Sequence, residues 1–163
     1  MLDDEELDAP SAVGGALVLV VDDELAPRSA VCRMVRGLGY RAESLESAKQ
    51  ALHFIDTHPG AARLLLTDVT MPGMDGAELA ERAKDLDPRL PIVLLAVPDR
   101  ETSELLEGYR DLPTLTKPVG FGELYGLLRE KLGPPTLHAS RPVPPTVSPR
   151  PRSSRRPSGK HEV

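Results

Sequence analysis

Three aspartates and one lysine carry the chemistry this chain is equipped to do. Asp22 and Asp23 follow the apolar run ALVLVV, Asp68 follows RLLLT, and Lys117 follows PTLT. Each stands where a hydrophobic stretch ends and the chain has to turn. Three ionised carboxylates gathered together repel one another unless a cation lies between them. Hard oxygen ligands that leave room for water suit Mg²⁺, which takes one or two carboxylates and fills its shell with water and phosphate oxygens. The Lys117 ammonium is a compact charge suited to a phosphoryl oxygen. An aspartate beside such a metal and lysine can act as a nucleophile on phosphorus, giving an aspartyl phosphate. Beyond that nucleophile, the protein would supply position and charge neutralisation.

Each residue taken alone has a plainer reading. Asp22 and Asp23 could cap the helix that follows, Asp68 could be a turn residue, and Lys117-Pro118 is an ordinary dipeptide. The joint pattern is far more specific: an acidic pair, a lone aspartate followed by VTMPGMDG, and a Lys-Pro, each at the end of a different apolar segment.

The elements that must position these residues alternate between two periods. Ala16 to Val21 is a continuous apolar run, the signature of a strand buried on both faces. Pro27 opens a helical stretch with Val31, Met34, Val35 and Leu38 on one face, ended by Gly37 and Gly39. A weaker strand covers 41–45. Ser47 is placed to cap a helix carrying Ala48, Ala51, Leu52 and Ile55. Strands are expected at 63–67, 91–96 and 113–116, and helices after Gly76, over 100–109 and over 123–132. Five strands alternating with five helices predict an α/β, doubly wound five-stranded parallel sheet with helices on both faces. All strand carboxyl ends of such a sheet share one edge, where ligands bind. Asp22, Asp23, Asp68 and Lys117 would meet there.

In this order and near these spacings, VVDDE, LLLTDVTMPGMDG and TKP resemble the receiver domain of two-component response regulators, over about residues 15–133. The resemblance implies a flavodoxin-like fold and transfer of a phosphoryl group from a histidine kinase or a phosphotransfer protein. It implies that Asp68 is the phosphoacceptor and that Asp23 binds Mg²⁺ directly, with Asp22 mainly through water. It further implies that the Thr70 carbonyl is another ligand, that Lys117 contacts the phosphoryl group, and that Pro72 and Gly76 shape the loop after the acceptor. Such a protein is a signalling receiver, catalysing only its own phosphorylation and dephosphorylation. Its output would pass to a downstream protein.

Two positions depart from the family pattern. The fourth strand usually ends in Thr or Ser, and here Ala96 stands there; the usual Tyr or Phe three before the lysine is Thr114. Both halves of the usual switch are altered, so a weak or unusual conformational response is expected. A degenerate receiver acting as a phosphorylation-independent scaffold is the alternative, and the intact Asp22, Asp23, Asp68 and Lys117 argue against it.

Other chemistries find less support. No GxxxxGK[ST] or GxGxxG occurs. Phosphatases with an aspartate nucleophile want a second Asp two residues on, where this chain has Thr70. His53 and His58 lack the partners a metal site needs, and the single Cys32 excludes a disulfide framework. The longest apolar run is too short to span a bilayer, and the amino terminus is acidic where a secretory signal would be basic. A cytoplasmic protein with no membrane association is the expectation.

The chain carries a net −5 over 163 residues, unevenly spread. Residues 137–163 hold Arg141, Arg150, Arg152, Arg155, Arg156 and Lys160 against Glu162, so this tail is +5 and the remainder −10. With eight prolines from Pro134 onward and little apolar content, residues 134–163 are expected to be a disordered tail. Residues 1–14 form an acidic extension and 15–133 the receiver. The tail's charge allows loose contact with nucleic acid, but it lacks aromatics and a recognition helix, which disfavours sequence-specific binding.

Overall fold

The computed structural model describes residues 15–135. The acidic amino-terminal extension and most of the Pro/Arg-rich tail therefore lie outside the described residues. Five parallel strands form one sheet: β1 (Leu17–Val21), β2 (Arg41–Leu45), β3 (Ala62–Asp68), β4 (Ile92–Ala96) and β5 (Thr114–Thr116), in the order β2-β1-β3-β4-β5. Five α-helices follow them: α1 (Leu25–Gly37), α2 (Ala48–Thr57), α3 (Gly76–Leu86), α4 (Arg100–Leu106) and α5 (Phe121–Leu132). The expected doubly wound fold is present.

Burial explains the strand sequences. In β1 every residue is buried. Leu17, Leu19 and Val21 pack with residues of α2 and α3 on one face, and Val18 and Val20 pack with residues of α1 and α5 on the other. Leu65 and Leu94 continue the first layer; Leu64, Leu66, Val93 and Leu95 continue the second. Fully burying each such side chain stabilises the fold by about 1.5–3 kcal/mol relative to exposure. A continuous apolar run is what a strand covered on both sides requires.

Side-chain caps set the starts of α2, α3 and α4. Ser47 Oγ accepts from the Gln50 amide at 3.1 Å, Asp75 Oδ1 from the Glu78 amide at 2.8 Å, and Asp99 Oδ1 from the Thr102 amide at 2.7 Å. Each satisfies one donor that the first turn would otherwise leave open. Hydrogen bonding from Thr102 holds the Asp99 carboxyl below the usual carboxylate range.

The structure adjusts several boundaries. Helix α1 begins at Leu25, two residues before Pro27; first-turn amides have no intrahelical acceptor, so proline is tolerated there. The expected helix over 100–109 is broken: α4 stops at Leu106 and a 3₁₀ turn covers Glu107–Tyr109. Helix α5 starts at Phe121, ahead of the expected 123. Cys32 on α1 is buried, and burial pushes its thiol pKa up.

Two parallel connections leave β1 and β3 toward opposite sides of the sheet. Helix α1 runs outward to β2 on one face, and α3 runs outward to β4 on the other. The crevice they leave at the carboxyl edge is the switch point at which doubly wound sheets bind ligands.

Candidate functional site

Four strand ends meet at this crevice. Asp22 directly follows β1, Asp68 is the last residue of β3, Ala96 ends β4, and Lys117 directly follows β5. The ladder fixes their level. Asp68 pairs with Leu95 and Ala96 with Thr116, while the Lys117 amide donates to the Ala96 carbonyl at 2.8 Å.

Lysine 117 lies between two carboxylates. Its Nζ is 2.9 Å from Asp22 Oδ2 and 3.0 Å from Asp68 Oδ1. Asp22 is 2% exposed and Asp68 7%. One ammonium among two buried carboxylates leaves a surplus negative charge, and the surroundings register it. Burial raises the Asp68 carboxyl above the ordinary carboxylate range, the Lys117 hydrogen bond and charge oppose the rise, and the Asp22 charge adds to it. Burial acts to lower the Lys117 ammonium, but its hydrogen bonds to Asp22 and Asp68 outweigh that and hold it above its usual value.

Asp22, Asp23 and Asp68 each offer a carboxylate oxygen, and these oxygens lie within 4.8 Å of one another. Oxygens sharing an octahedral Mg²⁺ at 2.0–2.1 Å are about 3 Å apart when adjacent and about 4.2 Å when opposite. The donor set therefore fits a hard divalent cation with only small closure. Asp23 is exposed, which leaves a coordinating group accessible to solvent. Thr70 lies two residues beyond β3, exposed, and among the described residues no hydrogen bond reaches its carbonyl.

The loop after Asp68 is held by close backbone approach. The Gly76 amide donates to the Val69 carbonyl at 2.7 Å. A Cβ on Gly76 would come within 2.1 Å of the Asp68 carbonyl oxygen, so only glycine fits at the start of α3 without moving Asp68. Gly73 has φ +79°, a backbone region that side chains disfavour. Met71 is buried and Met74 packs against the same core, so both are packing residues.

The altered positions are also placed. Ala96 is buried and brings no hydroxyl to the crevice. Thr114 is exposed and its hydroxyl donates to the Leu112 carbonyl at 3.3 Å. Neither it nor the exposed Thr116 hydrogen-bonds to the acidic cluster. His53 is an exposed residue of α2 and His58 caps that helix; their rings do not join the crevice.

Sequence reasoning missed Arg28. It is buried on α1, where its Nη1 donates to the Asp22 main-chain carbonyl at 2.6 Å and its Nε to Ser44 Oγ at 2.8 Å. The available signal was a charged residue on the apolar stripe, three and four positions before Val31 and Cys32.

Among the described residues no helix is long and apolar enough to cross a membrane. A family model described as the response regulator receiver domain matches residues 18–129. The two-component response regulator ORR11 of Oryza sativa subsp. indica is 34% identical over 119 residues, spanning 68% of this chain and 79% of that protein. ORR6 of Oryza sativa subsp. japonica is 36% identical over 109 residues, covering 63% and 62% of the two chains. Among solved structures, a response regulator receiver domain protein from Clostridium thermocellum superposes with a TM-score of 0.65 at 20% identity, over 71% of this chain and 93% of that one. A CheY-like receiver domain protein from Methanospirillum hungatei gives 0.62 at 26% identity, over 71% and 92%.

Proposed function

The chain belongs to the response regulator receiver family, and from that membership we propose that it is a phosphoacceptor in a two-component phosphorelay. Asp68 takes the phosphoryl group, and the donor is a phosphohistidine on a sensor histidine kinase or phosphotransfer protein. The observation that carries this reading is the single crevice in which Lys117 contacts Asp68 and Asp22 while Asp23 stands open beside them.

Asp22, Asp23, Asp68 and the Thr70 carbonyl are the groups that would hold Mg²⁺. The cation supplies positive charge that offsets the carboxylates and the incoming phosphoryl oxygens. The residues of the chain do the rest. Asp68 presents a carboxylate oxygen at the end of an inner strand, its backbone paired with Leu95 of β4, so its place is set before the donor arrives. Lys117, already 3.0 Å from Asp68, remains beside the acceptor and provides a donor and charge for a phosphoryl oxygen. Gly76 keeps the following loop close without displacing Asp68.

Signalling then goes through contacts with a downstream protein. The scaffold alternative would make the acidic crevice idle; its intact donor set and bridging lysine support the phosphoacceptor reading. Incubating the protein with Mg²⁺ and acetyl phosphate, followed by intact mass measurement, tests it. A gain of one phosphoryl group is expected, absent in Asp68→Asn and without Mg²⁺. An unchanged wild-type mass, or a gain that persists in Asp68→Asn, overturns the assignment.

A further inference from the structure

Arg28 is the only basic side chain buried among the described residues, and it lies directly behind the acidic crevice. A buried guanidinium is costly unless its donors find partners. Two are accounted for by the Asp22 main-chain carbonyl and the Ser44 hydroxyl on β2. The rest of Asp22 is occupied as well. Its amide donates to the Leu45 carbonyl at 3.2 Å, Oδ1 accepts from the Glu24 amide at 3.0 Å, and Oδ2 meets Lys117.

Asp23 differs. It is exposed, and among the described residues its carboxylate makes no hydrogen bond. Nothing on the side chain sets its direction, so the main chain must. The peptide unit from the Asp22 carbonyl to the Asp23 amide is planar. Holding its oxygen at 2.6 Å therefore restrains the peptide unit from which the Asp23 Cα projects.

We propose that Arg28 is a positioning residue for the cation site: by holding the Asp22–Asp23 peptide, it aims the Asp23 carboxylate at the point shared with Asp22 and Asp68. The proposal rests on the receiver reading of that site. Ser44 completes the clamp by fixing the other edge of the guanidinium.

Calorimetric Mg²⁺ titration of the full chain, at a temperature where every variant is folded, tests it. Arg28→Met is expected to weaken Mg²⁺ binding about tenfold, the scale on which groups behind a metal ligand act. Arg28→Lys, which keeps the charge and one donor direction, recovers part of that loss. Val31→Ala, on the same face of α1, lowers the melting temperature but leaves Mg²⁺ affinity within about twofold of wild type. Should Arg28→Met fail to fold, Ser44→Ala takes its place, with an expected loss of about two- to threefold. Wild-type affinity in Arg28→Met or, where that fails, in Ser44→Ala overturns the proposal, as does an equal loss in Val31→Ala. A wild-type chain that binds no Mg²⁺ removes the receiver reading and the proposal together.

Discussion

The crevice and the flank of the sheet beside it are built to different standards. At the crevice, β1 is buried throughout, β3 runs for seven residues, and every polar group of Asp22 has a partner. Two strands beyond β3, β5 has three residues, none fully buried, and α4 has seven before it breaks into a 3₁₀ turn. Lys117, directly after β5, reaches the crevice, but no hydroxyl of the flank does: Ala96 has none, and that of Thr114 is turned to the Leu112 carbonyl. Capturing a phosphoryl group needs fixed charges; transmitting the event needs a bond that forms between crevice and flank. In this chain the fixed charges are in place, while Ala96 and Thr114 bring no hydroxyl to the crevice.

The largest effect is expected from removing the charge that holds the crevice together. Lys117→Met leaves Asp22 and Asp68 buried and facing each other without the ammonium. Taking one partner from a buried ion pair costs about 3–5 kcal/mol. The lower end applies here, because Lys117 keeps 18% of its side-chain exposure and Asp68 can take up a proton. Urea unfolding in chelator should show this loss, and added Mg²⁺ should recover more stability in the variant than in wild type. An unchanged midpoint in chelator would mean that the crevice carries no surplus charge, and the contrast with the flank would lose its basis.

A smaller change should sharpen the comparison from the other side. Ala96→Thr restores a hydroxyl at the end of β4, within one strand of Asp68. A hydrogen bond to a charged group contributes about 1.5–3 kcal/mol, or roughly one to two powers of ten in a conformational equilibrium. With beryllofluoride and Mg²⁺, wild-type amide shifts should stay near residues 22–23, 68–76 and 117. In Ala96→Thr they should extend through α4 and β5. Large wild-type shifts throughout 96–125 would show that the flank responds without the hydroxyl.

How far the sequence could be read follows the same divide. ALVLVV announces a strand buried on both faces, and the aspartates closing it and RLLLT mark the edge where ligands bind. Ser47 announces a helix start because its hydroxyl can reach an amide three residues on. The flank is harder, since a short edge strand buries too little for its pattern to stand out; the 100–109 helix looked continuous although the chain tightens at Glu107, next to Gly108. Arg28 was half legible: its place on the apolar stripe marks it as buried, but its partners were hidden for another reason. Periodicity reports which face of a helix is covered, not which main-chain carbonyl a buried guanidinium will find. The double contact of Lys117 was hidden likewise, because spacing predicts proximity but not that one ammonium would serve two carboxylates.

The smallest expected effect concerns the cost of having the crevice ready. A carboxyl whose folded-state pKa lies above its unfolded value binds more protons when folded across that interval. Stability contributed by Asp68 is therefore greatest at low pH and falls as pH rises from the ordinary carboxylate range through the raised value. At neutral pH and without metal, its charge is a net burden on the fold. Asp68→Asn removes that burden, keeps the shape, and still offers Lys117 an oxygen. Its melting temperature in chelator should exceed that of wild type by a few degrees, roughly what 1 kcal/mol does in a domain of this size, and the gap should close on acidification. Adding Mg²⁺ should narrow or reverse the order at neutral pH, since a ligand that binds the folded wild type more tightly stabilises it more. A wild type more stable than Asp68→Asn in chelator at neutral pH would mean that Lys117 more than offsets the burial of the carboxylate. The crevice would then be at ease without a cation, and its readiness for phosphoryl capture would need another physical source.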